Sequence, residues 1–274
     1  MHELIYALNI ILPLLYTGAF VLYYFDFTTE KKIFYNSKRI VLFVTLTLHA
    51  IYLFARTIEF NHTPITNKFE IFTVLAFAIG FSYFLLELIS EVRGTGLFII
   101  AFSLLFQIIS SLFIEDLIEV KEVLRNRMLG LHVISALLGY AGITISAVHG
   151  LLFLLLYKSI KLDKFGLFFK RLPSLESLEA LSFNSVLIGF VLLTFAIAIG
   201  MFWLPSAFPN FSYTDPKLVG TFLVWIIYGA GILTKLIVGW YGKKVVIFSI
   251  AGFTVAMLSL VLSNIIASSF HTFY

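Results

Sequence analysis

The stretch Asn210–Gly229, NFSYTDPKLVGTFLVWIIYG, sets an Asp-Pro-Lys triplet between two long apolar runs. From Leu218 onward no charge appears until Lys235. That is close to the roughly 20 apolar residues a helix needs to cross a hydrocarbon core. A compact polar turn with aromatic residues on both sides therefore marks the edge of a membrane. Proline fixes φ and suits the first turn of a helix, and an aspartate before it is a good N-cap, so Asp215-Pro216-Lys217 reads as the start of a span.

The rest of the chain repeats this pattern. Of its 274 residues, 60% are hydrophobic and 12% charged, which is outside the soluble range. Eight apolar stretches read as spans: 4–24, 40–56, 70–90, 96–114, 131–157, 183–204, 218–241 and 245–268. The runs are continuously apolar and do not alternate in period two, which excludes a β-barrel reading. The expectation is an all-α, polytopic integral membrane protein of about eight transmembrane helices, forming one domain over residues 1–274. No internal repeat or separating linker is visible. The net charge of +4 is modest and reflects loop bias, not nucleic-acid binding. The chain has no cysteine, so disulfides, thiolate metal sites and cysteine catalysis are excluded. No Walker loop, HExxH, GxSxG or GxGxxG is present, and no catalytic residue is assigned.

Lysine and arginine set the orientation. Loops 1–2, 3–4, 5–6 and 7–8 hold about twelve, against about six in the remaining loops and termini. The richer set is read as cytoplasmic, which places both termini and the Asp-Pro-Lys turn outside. In loop 5–6, LPSLESLEALSF carries Leu175, Leu178 and Leu181 on one helical stripe. It reads as a short amphipathic helix on the membrane surface, or equally as a solvated connector. The basic patch before it, Lys158 to Arg171, suits anionic lipid.

Six histidines punctuate the chain: His2, His49, His62, His132, His149 and His271. Within a membrane helix a histidine is either a structural group bonded to a neighbour or part of a functional site. His132, at the outer start of the fifth span, and His271, at the outer end of the eighth, share a face with the aromatic turn. That arrangement suits a bis-imidazole site with a flat apolar ligand. His49 and His149 lie about 13 and about 12 Å deep, at 1.5 Å per residue, from the same face. They are candidates for a second axial pair, because neutral imidazole is a common haem iron ligand; pairing with backbone or hydroxyl groups is the alternative. In NHTPITNKFE, Asn67 and Glu70 have capping-box spacing. Arg56 is expected to pair with Glu59, Glu70 or a ligand carboxylate.

Several of these segments together resemble the cytochrome c assembly (CcsA/ResC-like) membrane proteins. LPSLESLEALSFNSVLIGFVLLTFAIAIGMFW resembles the segment leading into that family's tryptophan-rich haem-handling loop. YTDPKLVGTFLVWIIY is similar to the end of the loop, with Asp215, Pro216, Lys217, Trp225 and Tyr228 matching. PITNKFE, LHVISALLGYA and the terminal FHTFY fall at further family positions. The resemblance implies a membrane protein that binds or translocates haem b in c-type cytochrome biogenesis, within the cytoplasmic (inner) membrane and with its active face extracytoplasmic. It implies that His132 and His271 ligate the iron on the outer face, with His49 and His149 forming an entry site. Trp203 and Tyr213 would cover the porphyrin, and Lys217 would meet a propionate. It also implies partners: a ResB-like membrane protein and an apocytochrome c, which would supply the thiols this chain lacks. The loop departs from the family in having Trp203 alone before the aspartate, Tyr213 in place of one aromatic and Leu218 where an acid is usual. The closing GWYGKKVV and FHTFY are similar to the HemX/YpjD-like branch. A HemX-like membrane regulator of haem biosynthesis is therefore the alternative, and a small-molecule transporter the third reading.

Overall fold

In the computed structural model, the described residues are all except 30, 91, 117–119, 121, 208–213 and 266–274; side chains are also not described at 204, 207, 216, 217 and 260–265. Among the described residues all regular secondary structure is helical. In order the helices are α1 His2–Thr29, α2 Lys32–Phe60, α3 Lys68–Ser90, α4 Gly96–Phe113, α5 Arg127–Lys161, α6 Leu167–Arg171, α7 Leu175–Ala207, α8 Pro216–Val238 and α9 Lys243–Ile265, with a 3₁₀ turn at Glu122–Arg125 before α5. All but the five-residue α6 coincide with the eight expected spans. Seven are long and apolar enough to cross a membrane by length and composition. The eighth, α9, has 23 residues, with side chains described as far as residue 259.

The chain divides into two compact units. The first comprises Met1–Gly130 with Phe165–Pro173, and the second Leu131–Lys164 with Ser174–Tyr274. In the first, α1 packs on α2 and α4, and α3 on α2 and α4, closing a ring of four helices. Its apolar interior includes Leu12, Leu42, Ile79, Ile99 and Ile100, all fully buried. Charged groups also lie inside. Lys38 is 1% exposed and bridges Asp26 at 2.7 Å and Glu87 at 2.9 Å. Arg56 is 2% exposed and bridges Glu70 and Asp116, each at 2.8 Å. Arg56 thus takes the glutamate expected for it and adds Asp116, without Glu59. Asn67 caps α3 as its spacing predicts, accepting from the N–H groups of Phe69 and Glu70 at 2.9 Å. The Glu70 carboxylate reaches back one residue further than a capping box, to the N–H of Thr66 at 2.8 Å and its hydroxyl at 2.7 Å.

In the second unit α7, α8 and α9 pack mutually, and α5 lies against α7 and α9 through glycines. A Cβ at Gly142 would stand 2.9 Å from Gly189 Cα, and one at Gly189 2.9 Å from the Gly139 carbonyl. Only a side chain of one hydrogen permits the α5 and α7 backbones to touch in this way, a close approach typical of membrane helix pairs. Gly150 meets Val246 of α9 similarly. The expected surface helix at loop 5–6 is absent as a separate element. Leu175 instead opens the 33-residue α7. Leu178 and Leu181 of its apolar stripe are buried in protein, while Glu179 bonds Lys235 and accepts the Gly242 N–H at 2.6 Å.

Candidate haem-ligating histidines

The site begins with two helices and one carbonyl. His132 stands in the second turn of α5. Its Nδ1 lies 2.7 Å from the carbonyl oxygen of Ala196 in α7. A carbonyl only accepts, so Nδ1 carries the proton, and in the neutral ring Nε2 keeps its lone pair. Among the described residues no hydrogen bond is made to that Nε2. Space for the ring comes from Gly200, one turn after Ala196 on the same face of α7. A Cβ there would stand 3.0 Å from His132 Cε1 and 3.1 Å from Nδ1. An imidazole oriented through one nitrogen and open at the other is the usual arrangement of a metal-binding histidine. Trp203, partly buried, follows Gly200 by three residues, so it lies near the same face one turn further toward the end of α7. Neither Ala196 nor Gly200 was legible as a site position. The only trace was a glycine inside the apolar run AIAIG.

Asp215 directly precedes α8, is 4% exposed, and its carbonyl accepts the Val219 N–H at 3.0 Å. The helix thus starts at the expected residue, with Pro216 in its first position. Trp225 sits about 13 Å further along the helix, at 1.5 Å per residue. Its Nε1–H donates to Thr194 Oγ1 at 2.8 Å, and its ring stacks on Phe190 at 5.5 Å. It therefore joins α8 to α7. Tyr228, one turn on, donates to the Ser249 carbonyl at 3.1 Å. His271 and Tyr213 lie outside the described residues, as does the Lys217 side chain.

His49 and His149 are both fully buried but lie in different units. Their surroundings differ. His49 Nδ1 is 3.0 Å from the Tyr16 hydroxyl and Nε2 is 2.9 Å from Thr73 Oγ1. Thr73 donates its own proton to Gln107 Oε1 at 2.8 Å, so His49 Nε2 must be the donor to Thr73 and Nδ1 the acceptor from Tyr16. Gln107 continues the chain to Ser111 at 2.9 Å. Both His49 nitrogens are thus engaged. Among the described residues neither ring nitrogen of His149 has a hydrogen-bond partner. Beside it, Ser146 and Ser182 exchange bonds with each other's carbonyls at 2.7 and 2.9 Å. His62, between α2 and α3, bonds the Thr63 carbonyl at 2.9 Å. Among the described residues no group of three or more His, Asp or Glu side chains could hold a bare metal ion.

Residues 10–271 of the chain match a family profile described as cytochrome C assembly protein. The chain belongs to the cytochrome c assembly protein family. The match runs from the first helix to the closing FH pair. The cytochrome c biogenesis protein CcsA of Chlamydomonas reinhardtii is 28% identical over 243 residues, covering 86% of this chain and 67% of that protein. The protein of the same name from Mesostigma viride is 23% identical over 273 residues, covering 89% and 90%. That of Prochlorococcus marinus strain MIT 9301 is 27% identical over 269 residues, covering 89% and 86%. These members of the family align along most of the chain, across both units.

Proposed function

We propose that this protein handles haem in c-type cytochrome biogenesis, holding it at an outer-face site whose first axial ligand is His132. The observation that carries the reading is the His132 ring, anchored through Nδ1–H to Ala196 with Nε2 open. Haem b is the cargo, and the donor set suits it: a neutral imidazole is a common ligand of haem iron. His271 is the second axial ligand in this reading. Trp203 and Tyr213 cover a porphyrin face, Asp215 fixes the start of α8, and Lys217 meets a propionate. Two imidazoles would hold the iron six-coordinate. The protein's own residues orient the ring, shield it and fix the first imidazole, while Trp225 braces α8 against α7. The thiols for covalent attachment come from an apocytochrome c, since this chain has none, and a ResB-like membrane protein is the expected companion. In this reading the site faces outward from the cytoplasmic membrane with both termini outside, which the lysine and arginine count of the loops supports.

A second haem position within the bilayer rests on His149, whose nitrogens are unpartnered. His49, the other histidine of the proposed pair, keeps both ring nitrogens engaged by Tyr16 and Thr73. The relatives reported above are named for cytochrome c biogenesis, and regulation of haem synthesis draws no support from them.

The test is the reduced and oxidised absorption spectrum of the full chain purified in mild detergent, with haem added, beside His132→Ala and Gly200→Val. The expected result is a Soret band with sharp reduced α and β bands, lost in His132→Ala and shifted in Gly200→Val. Unchanged bands in His132→Ala, or no haem uptake at all, would overturn the assignment.

A further inference from the structure

At one end of the first unit the chain builds a cavity that the haem reading does not use. It lies where α1 ends, α4 begins and α6 docks. Phe168 of α6 packs against Phe27 at 6.1 Å and Phe98 at 6.0 Å. Arg171 donates to the Thr28 carbonyl at 2.9 Å. Gly94, at φ +88°, passes so close to the Arg171 carbonyl that a Cβ there would collide with it. These contacts wall a cavity of about 380 Å³ lined by Asp26, Phe27, Arg93, Gly94, Lys170 and Arg171.

The lining is cationic. Three basic side chains face one carboxylate, and Asp26 is already held by the buried Lys38. Arg93 lies over the Tyr35 ring at 3.8 Å, which fixes the guanidinium plane and leaves its N–H edge for an acceptor. Arg93 and Lys170 are both exposed. Glu30 and Glu91, which adjoin these segments in sequence, lie outside the described residues. Beside the cavity, Phe165, Leu167 and Phe169 present apolar surface, 53%, 42% and 41% exposed. The cavity stands level with the ends of spanning helices, which is the depth of lipid headgroups.

We propose that this cavity binds the phosphate of an anionic phospholipid, with its acyl chains along the exposed α6 aromatics. A phosphate diester supplies the charge that Arg93 and Lys170 face. The tails account for apolar side chains set beside a polar cavity, which a free anion would not use. Bound there, the lipid ties α6 to the ends of α1 and α4.

The experiment uses the full chain, delipidated in detergent and followed by native mass spectrometry and thermal unfolding. The probes are phosphatidylglycerol, phosphatidylcholine and inorganic phosphate. Wild type is expected to retain one phosphatidylglycerol and to melt higher with it, while phosphatidylcholine gives neither effect. The double variant Arg93→Gln/Lys170→Gln should bind about tenfold more weakly or worse, as expected for losing two charge-assisted contacts. Lys158→Gln/Lys161→Gln, exposed cations that do not line the cavity, should bind as wild type does. Equal loss in both double variants would mean general surface attraction and would overturn the site. Displacement by millimolar phosphate would make it a free-anion site, which also overturns the lipid assignment. Unchanged binding in Arg93→Gln/Lys170→Gln would do so too.

Discussion

His49 and His149 are equally buried, yet one ring is fully bonded and the other is not. They sit in different units. In the first unit Lys38 pairs with Asp26 and Glu87, Arg56 with Glu70 and Asp116, and His49 with Tyr16 and Thr73, while Arg56 Nε and Ser103 Oγ make no hydrogen bond among the described residues. In the second, hydrogen-bonding capacity is left over, on both nitrogens of His149 and on Nε2 of His132. A saturated polar interior specifies how helices pack. An unsaturated one is where a ligand gains most by binding, because leaving such a group buried and unpaired is costly. His49 accordingly holds its helices in register, while His132 and His149 keep ring nitrogens that a ligand could take.

The strongest way to break this comparison is Arg56→Ala. It leaves Glu70 buried and charged without its partner, and breaking such a pair costs about 3–5 kcal/mol. The full chain should lose its folded fraction in mild detergent, seen as early aggregation in size exclusion and a large drop in melting temperature. A variant that melts like wild type would mean the first unit does not depend on its internal ion pairs. His49→Leu comes next. It strands the Tyr16 hydroxyl and Thr73, and at about 0.6–2 kcal/mol per interhelical hydrogen bond should cost about 1–3 kcal/mol in a reversible denaturant titration. Haem uptake at the His132 site should be unaffected. Asn67→Ala removes the cap of α3 and should cost about 1 kcal/mol, read by the same titration, with Asn67→Asp retaining most of the stability. The smallest effect, and the sharpest contrast with His49, belongs to His149→Leu. With no hydrogen bond to lose, its stability should stay within about 0.5 kcal/mol of wild type or rise. A cost equal to that of His49→Leu would remove the distinction between the two histidines.

Much of this was readable before any coordinates. Continuous apolar runs gave every long helix, because the bilayer imposes a length that few other contexts require. Asn67, Asp215 and Pro216 announced helix starts through local backbone chemistry, which needs no partner from elsewhere. Apart from Arg56 with Glu70, partnership across helices was not readable. Depth along a helix places His49 and His149 at one level but says nothing of rotation, so their opposite surroundings were invisible. The stripe of Leu175, Leu178 and Leu181 indicated one apolar face without indicating whether lipid or protein would cover it. The anchor of His132 is a backbone carbonyl, which every residue possesses, so no residue type at position 196 could have marked it.

The glycine crossing of α5 and α7 has a mechanical consequence. Where backbones touch at Gly139, Gly142 and Gly189, the two helices share a fulcrum, and His132 rides on the lever arm beyond it. Seven residues separate His132 from Gly139, about 10 Å of helix, so a tilt of ~10° about the crossing sweeps the imidazole by roughly 2 Å. That is enough to part a 2.7 Å bond. The bond between His132 and Ala196 is thus a gauge of the crossing angle. A force that splays these helices, whether from bilayer thickness or from a docked protein, would turn the ring before it moved any other part of the site.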